Sequence, residues 1–214
     1  MKGIGIVVFA VAALVGTGCK SRGEDKTDAL MGSVENFEAT LAASETAVDK
    51  ASSAMNALVD GAGADPKPLM DRYRDGVAGV ASARSSVASS GASLRQAIAT
   101  HFENWEKDAN AIQNPEIRGS MMERRATAQN RMGSVHPGIE NAGKEFDSLV
   151  SDLKDIETLL QADLSPDGIA AAAPTITKAT EKAVRTKEAL QKLQEVCVEV
   201  RDALAVREAP PKQQ

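Results

Sequence analysis

A heptad repeat runs without interruption through residues 30–58 and leaves few folds open to this chain. Apolar or small side chains recur there at alternating spacings of four and three residues: Leu30, Val34, Phe37, Leu41, Ser44, Val48, Ala51, Met55 and Leu58. This spacing puts them on one stripe of a helix, and a stripe sustained over about four heptads is typical of a helix that packs along its length against another. The repeat predicts a long helix from about Asp25 to Asp60.

The same register continues in a second segment, predicted from Pro66 to about Asn114 and carried by Tyr73, Val77, Val80, Arg84, Val87, Gly91, Leu94, Ile98, Trp105 and Ile112. The stripe drifts by one residue near its end, where Phe102 and Ala109 lie beside the polar His101 and Asp108. The stretch SARSSVASSGAS within it could be a flexible linker, but the retained register favours a helix with a small-residue face.

Two further segments complete the helical pattern. The third, from Pro115 to about Asp163, contains Pro137, and because a proline inside a helix removes a hydrogen bond, we expect one long helix with a kink there. The fourth begins at Ser165 and Pro166, and Pro174 predicts a short helical piece before the long one. The apolar positions of the third segment are Ile117, Met121, Ala128, Met132, Val135, Ile139, Phe146, Leu149, Leu153, Ile156 and Leu160. Those of the fourth segment are Ile176, Ala183, Leu190, Leu193, Cys197, Val200 and Leu204.

These segments predict an all-α fold in a single domain over residues 27–207, with a disordered tail at 208–214. Short connections make successive helices antiparallel. The expected architecture is an elongated antiparallel helical bundle, or coiled-coil hairpins, of about four long helices, each roughly 50 to 75 Å long. The stripes can pair within one chain or between chains of a homo-oligomer, and the sequence leaves both open.

The amino terminus has the pattern of a secretory signal peptide over residues 1–18. Met1 and Lys2 precede an apolar run from Ile4 to Val15, and small residues follow up to Gly18 and Cys19. This order resembles the lipobox of bacterial lipoproteins, although Gly16 stands where leucine is usual. It implies cleavage between Gly18 and Cys19 and lipidation of Cys19, with residues 19–26 as a polar tether. A soluble secreted protein, or a chance cysteine in a signal peptide, are the alternatives.

The apolar run is shorter than the roughly 20 residues that a membrane-spanning helix needs, so the anchor would be the lipid alone. Two or three acyl chains hold a protein on a membrane almost permanently. The residue after the cysteine is Lys20 and not aspartate. By the sorting rule of enteric-type bacteria, this implies a place in the outer membrane facing the periplasm.

Charge and cysteine content exclude some classes. A net charge of −5 argues against binding of nucleic acid, which requires a basic face. The chain has 2 cysteines, and lipidation of Cys19 leaves Cys197 alone, so no disulfide framework can form.

No catalytic, cofactor or metal site is apparent in the sequence. The 2 histidines, His101 and His136, lack the helical spacing of paired metal ligands. Cys197 lies on an apolar stripe and fits a buried position better than that of a nucleophile, with an intermolecular disulfide as a further alternative. The glycines at 61–64 follow a helix and not a strand, unlike a phosphate-binding loop. We therefore expect a protein that is not an enzyme.

Two groups of side chains are candidates for an interaction surface. Arg118, Arg124, Arg125 and Arg131 gather on the third segment, and they could pair with Glu103 and Glu106 or bind an anionic partner such as lipid headgroups or lipopolysaccharide. The cluster of Phe102, Trp105 and Ile112 could pack in the core at the tip of a hairpin, or form an exposed patch that docks another protein.

The middle of the chain resembles an uncharacterised bacterial lipoprotein family known as domain of unknown function 2959. The shared features are the Phe102-x-x-Trp105-Glu106 pattern, the turn from Asn114 to Arg118 into an arginine-rich helix, and the proline at 137. His136 and Gly138 depart from the residues that flank this proline in the family. The resemblance implies a secreted, lipid-anchored, all-helical protein, and it supplies no catalytic residue.

Three hypotheses follow for the function. The first is a non-enzymatic envelope lipoprotein whose helical rod acts as a scaffold or docks an envelope protein. The second is a carrier or sensor that binds a lipid-like or anionic ligand between its helices. An enzyme is the third and the least supported.

Overall fold

The computed structural model of the protein describes residues 22–61 and 65–205, and this part of the chain is helical with no strand. Its elements are α1 (Arg22–Asp60), α2 (Pro66–Asn110), α3 (Pro115–Arg131), a 3₁₀ turn (Met132–Ser134), α4 (Val135–Ala162) and α5 (Pro166–Ala205). The long helices α1, α2, α4 and α5 form a bundle, which confirms the all-α prediction.

The predicted signal peptide, Gly18, Cys19 and the tail at 208–214 lie outside the described residues. Helix α1 begins at Arg22, so it includes the end of the segment that was predicted to be a tether.

The four long helices are antiparallel to their neighbours around the bundle. Helix α1 packs against α2 and α5, and α4 packs against the same two helices. The ion pairs between helices show this antiparallel direction, because a residue early in one helix pairs with a residue late in the next. They are Arg84 with Asp147 and Arg74 with Glu157 between α2 and α4, Lys182 with Asp152 and Arg185 with Glu145 between α4 and α5, and Lys187 with Asp49 and Arg201 with Glu38 between α1 and α5.

The core consists of the predicted heptad stripes. All nine stripe residues of α1, Leu30 to Leu58, are at most 1% exposed, and the polar Ser44 among them donates its hydroxyl to the carbonyl oxygen of Thr40 at 2.7 Å. The stripe of α5 from Ile176 to Leu204 is buried in the same way. The stripes therefore pair within one chain over the described residues.

The third segment stays helical from Pro115 to Ala162, and a 3₁₀ turn interrupts the α-helix close to Pro137, where the kink was predicted. The 3₁₀ turn separates α3 from α4 and contains Gly133, which lies four residues before Pro137. A proline cannot donate to the carbonyl of residue i−4 and its ring clashes with it, so the helix is interrupted at that residue and Pro137 lies in the first turn of α4. Helix α3 has no buried residue, and Ile117, predicted to belong to the stripe, is 54% exposed.

Pro174 does not interrupt the fourth segment, and the prediction of a separate short piece is wrong. Helix α5 continues through it from Pro166 to Ala205. Both Pro174 and Ala170, whose carbonyl loses its helical donor, are exposed. Water can bond this carbonyl, which lowers the cost of the missing hydrogen bond.

Capping residues mark the starts of α2, α3 and α5. Asp65 accepts from the backbone N–H of Lys67, Asn114 from those of Glu116 and Ile117, and Ser165 from that of Gly168. Each cap precedes a proline at the first helical position, where a missing N–H costs nothing. Within residues 22–61 and 65–205, no helix has the length and apolarity that a bilayer crossing requires.

Candidate interaction surface

Phe102 and Trp105 lie in the core near the end of α2, at 4% and 7% exposure. Their rings are stacked with centroids 6.2 Å apart, and the buried His101 ring meets both edge to face, at 5.6 Å and 5.9 Å. Stacked and edge-to-face aromatic pairs stabilise a core beyond the area that they bury. Phe102 and Trp105 therefore pack in the core, and they do not form an exposed aromatic docking patch.

Arg125 attaches α3 to the end of α2. Its Nε donates to the carbonyl oxygen of Phe102 at 3.1 Å, and its Nη2 lies 2.9 Å from Oε2 of Glu106. Its guanidinium carbon is 5.8 Å from the centroid of the Phe102 ring. The side chain is only 18% exposed, so this hydrogen-bonded ion pair is stronger than a freely solvated one. Arg125 pairs with Glu106 as predicted, and it serves structure rather than binding.

Arg124 and Arg131 lie on a different face of α3 from Arg125. They line a shallow hollow of about 310 Å³ together with Trp105, Glu123, Thr127, Ala128 and Ala203. Both side chains are exposed, as is Arg118 near the start of α3. In the part of the chain that the structure describes, these three arginines form no ion pair. They are the members of the predicted surface that the structure leaves accessible.

The histidines occupy different surroundings. His101 is buried in the aromatic cluster, whereas the His136 side chain is 60% exposed. The guanidinium of Arg95 lies 3.0 Å from Nδ1 of His136, and Glu140 lies 3.5 Å from its Nε2. Over the described ranges, no group of three or more His, Cys, Asp or Glu side chains is arranged to hold a metal ion.

Cys197 is 1% exposed on the inner face of α5. Burial raises the pKa of its thiol to about 12; the carboxylate of Glu38 adds to this effect and Arg201 opposes it. Because the thiolate is the reactive form, this environment makes Cys197 a poor nucleophile. Its position fits a small core side chain.

An outer groove between α1 and α2 is lined mainly by alanine, serine and glycine. One hollow of about 760 Å³ lies beside Ala29, Ser33, Ala92, Ala97 and Thr100, and a second of about 700 Å³ lies near the other end, beside Ala47, Ala54 and Gly76. Small side chains let the two helices approach closely and leave the groove shallow.

The side chains around the hollow beside Trp105 are brought together by tertiary contacts that heptad spacing does not predict. Ala203 comes from the end of α5, and Arg125 reaches α2 because α3 folds back along it. The sequence indicated the arginines and the aromatic residues, but not which arginine would be partly buried against α2. Alignment of α3 with α2 in antiparallel register could have distinguished Arg125 from Arg124.

Comparison with known proteins gives no match. No family model matches the chain, and neither a curated protein nor a solved structure does.

Proposed function

We propose that this protein is a lipid-anchored bacterial envelope lipoprotein whose helical bundle is a non-enzymatic scaffold or protein-docking module. The observation that carries the proposal is the transition at Cys19, where an apolar run and small residues end at a cysteine and a polar segment follows. The cysteine would hold the chain on the outer membrane and the bundle would extend into the periplasm. The resemblance to the family of domain of unknown function 2959 agrees with this proposal.

The packing of the bundle supports a scaffold. The stripes of the long helices are buried against one another, so the bundle needs no ligand to complete its core. Interhelical ion pairs such as Arg84 with Asp147, at 2.8 Å, hold the helices in one register. Helices of 39 to 45 residues give a rod of about 60 to 70 Å, which is long enough to present binding faces well away from a membrane.

A carrier or sensor of a lipid-like ligand is the second candidate, and the outer groove favours it. Its hollow of about 760 Å³ beside Ala29 and Leu30 has the volume of a site for a lipid fragment. The same groove lacks walls of large apolar side chains, which a carrier uses to shield an acyl chain from water. We therefore place the scaffold first.

The two candidates can be separated by crosslinking the intact protein in cells, purifying it, and identifying copurified proteins and lipids by mass spectrometry. The scaffold predicts a defined envelope protein in a fixed ratio, and it predicts no bound lipid apart from the anchor. A stoichiometric lipid without a protein partner would contradict the scaffold and support the carrier.

Mutation provides the matched control for this capture. Replacement of exposed small residues in the groove by a bulky one, as in Ser93→Trp, should abolish lipid capture by a carrier. The exposed Ser85 lies two turns earlier on α2, outside that hollow, and Ser85→Trp is the control. A protein partner retained by both variants would place docking elsewhere on the bundle.

A further inference from the structure

Helix α3 has a charge and an exposure unlike those of the rest of the molecule. It contains Arg118, Arg124, Arg125 and Arg131 against Glu116 and Glu123, a net charge of +2 (4 − 2) in a chain whose net charge is −5. None of its residues is buried, and Ile117 is 54% exposed. A cationic helix that contributes nothing fully buried to the core has a surface available for binding.

Only part of this charge is used within the protein. Arg125 is bound to Glu106 and to the backbone of Phe102. Arg118, Arg124 and Arg131 are exposed and have no acidic partner among the described residues. Their guanidinium groups present several N–H donors in a plane, a geometry that matches phosphate oxygens.

The fold places α3 at the end of the bundle where α1 begins. Leu30 of α1 and His101 of α2 line the same hollow, so the two helices are antiparallel and the start of α1 lies beside the end of α2. Arg125 packs against Phe102, so α3 folds back from that same end. Only three residue steps separate Arg22 from Cys19, which limits their separation to about 11 Å.

We infer that α3 is a membrane-contact helix, in which Arg124 and Arg131 bind the phosphate groups of anionic phospholipids in the bilayer that holds Cys19. This inference rests on the lipid anchor proposed above. Arg124 and Arg131 are seven positions apart and share one face of the helix, about 10 Å apart along its axis, whereas Arg118 lies on another face. For both arginines to reach headgroups, their face of α3 must meet the surface, and the bundle is then inclined rather than upright.

The charges around the arginines fit this arrangement. Glu123 lies beside Arg124 and lowers the local positive charge, but Arg124 and Arg131 together outweigh it. Basic side chains close to an anionic surface are attracted to it over about one Debye length, and added salt weakens this attraction. The contact would orient the bundle, while the acyl chains hold it on the membrane.

The test uses the full-length lipidated protein in vesicles whose lipids carry a quencher on the headgroup. A fluorophore is placed on α3 through Ala126→Cys, an exposed position, and in a second protein on the far end of the bundle through Ala171→Cys, also exposed. The vesicles contain phosphatidylcholine alone or with about a third phosphatidylglycerol. Cys197 is buried and does not compete for the label.

We expect the α3 label to be quenched in anionic vesicles, and the quenching to fall by about half or more when Arg124→Gln and Arg131→Gln are combined or when salt is raised to about 0.5 M. The label at residue 171 should stay bright throughout. The control variant combines Lys67→Gln and Lys178→Gln, which removes the same charge from exposed positions at the far end and should leave quenching unchanged.

Each other outcome overturns the inference in a distinct way. Equal quenching in neutral and anionic vesicles would show that the anchor alone brings α3 to the surface and that its arginines serve another partner. An unquenched α3 label in protein that still floats with the vesicles would reject the contact and leave the anchor standing. Protein that carries no acyl chain and does not float would reject both.

Discussion

Tyr73 shows how a single polar group is accommodated in the core of this bundle. Its hydroxyl is fully buried and donates to the carbonyl oxygen of Leu153 in α4, with 2.6 Å between the oxygens. Burial, and then the negative charge of Glu157, raise the pKa of this hydroxyl far above its ordinary value. The side chain joins α2 to α4 and stays neutral while the protein is folded.

The first prediction concerns Tyr73→Phe. The substitution keeps the ring and removes the donor, so we expect a loss of about 1 kcal/mol in the free energy of unfolding near neutral pH, measured by urea denaturation. A loss close to zero would mean that the hydroxyl contributes nothing to the joining of α2 and α4.

The pH dependence of the same variant is the second prediction. Because the pKa of Tyr73 is raised in the folded state, its contribution to stability is present below pH 10, the unfolded value, and is lost as pH rises above it. Wild type should therefore lose more stability than Tyr73→Phe above pH 10. Since this is the only tyrosine, tyrosinate absorbance should appear only on unfolding. Ionisation in the folded protein would contradict this account.

Cys197 provides a third prediction, on reactivity. With its pKa raised to about 12 by burial, the thiol should react with a disulfide reagent at pH 8 at least about a hundredfold more slowly in the native protein than in urea. The unfolded protein serves as the control for reagent and pH. Fast reaction in the native protein would show that α5 opens at this position.

At this scale, heptad spacing predicted which side chains are buried but not their polar partners. The stripe residues of α1 and α5 follow from spacing alone, because a helix that buries one face must bury positions three and four apart. The partner of Tyr73 is 80 positions away in the sequence, and only the relative register of α2 and α4 determines it. The same is true of Arg84 and Asp147.

At the scale of elements, the close contact of α1 and α2 depends on Gly76. A Cβ added at this glycine would lie 3.0 Å from the Cα and 3.3 Å from the Cβ of Ala51, so α1 would have to shift by a few tenths of an ångström. A Cβ at Gly79, one turn later, would meet no atom within 4 Å. The two glycines offer a matched pair in one helix.

We predict that Gly76→Ala and Gly79→Ala change stability in opposite directions. Alanine is the better helix former by about 1 kcal/mol, and Gly79→Ala should gain roughly that amount. In Gly76→Ala the overlap with Ala51 should outweigh the gain, for a net loss of about 1 to 2 kcal/mol. Thermal and urea unfolding of both variants measure this. Equal stabilisation of the two would mean that α1 and α2 are farther apart.

The prolines show a limit of prediction from sequence, because their positions alone do not tell which one interrupts a helix. Pro137 and Pro174 both lie in segments with helical periodicity, but only the first is associated with a break. The 3₁₀ turn lies where Gly133, a weak helix former, is also the residue whose carbonyl the proline ring disturbs. Ala170 occupies the equivalent place before Pro174 and favours the helix. A rule based on the presence of proline alone cannot distinguish Pro137 from Pro174.

Helix α3 should be the least stable helical element. None of its residues is fully buried, and it packs beside α2 only through partly buried side chains such as Met121, Arg125 and Ala128, so its opening costs little. In hydrogen exchange of the full-length protein, we expect its amides to exchange at least about a hundredfold faster than those near Leu149 and Leu153 in α4. Equal protection would show that α3 is fixed by contacts beyond those described.

For the whole molecule, long antiparallel helices packed side by side give a rod. A bundle about 65 Å long has a radius of gyration near 20 Å, whereas a compact sphere of the same chain length would be near 16 Å. X-ray scattering by the chain expressed from Lys20 onward should give the larger value and a monomer mass, because the stripes pair within one chain. A dimer mass would mean that the outer faces also pair.

The lipid anchor is tested most directly by the mass of the amino-terminal peptide of the protein purified from membranes. We predict that the mature chain begins at Cys19 and that this residue carries two or three acyl chains. Cys19→Ala should remove the modification, while Cys197→Ala should retain it. A chain that begins elsewhere, or an unmodified Cys19 in membrane-bound protein, would contradict the account.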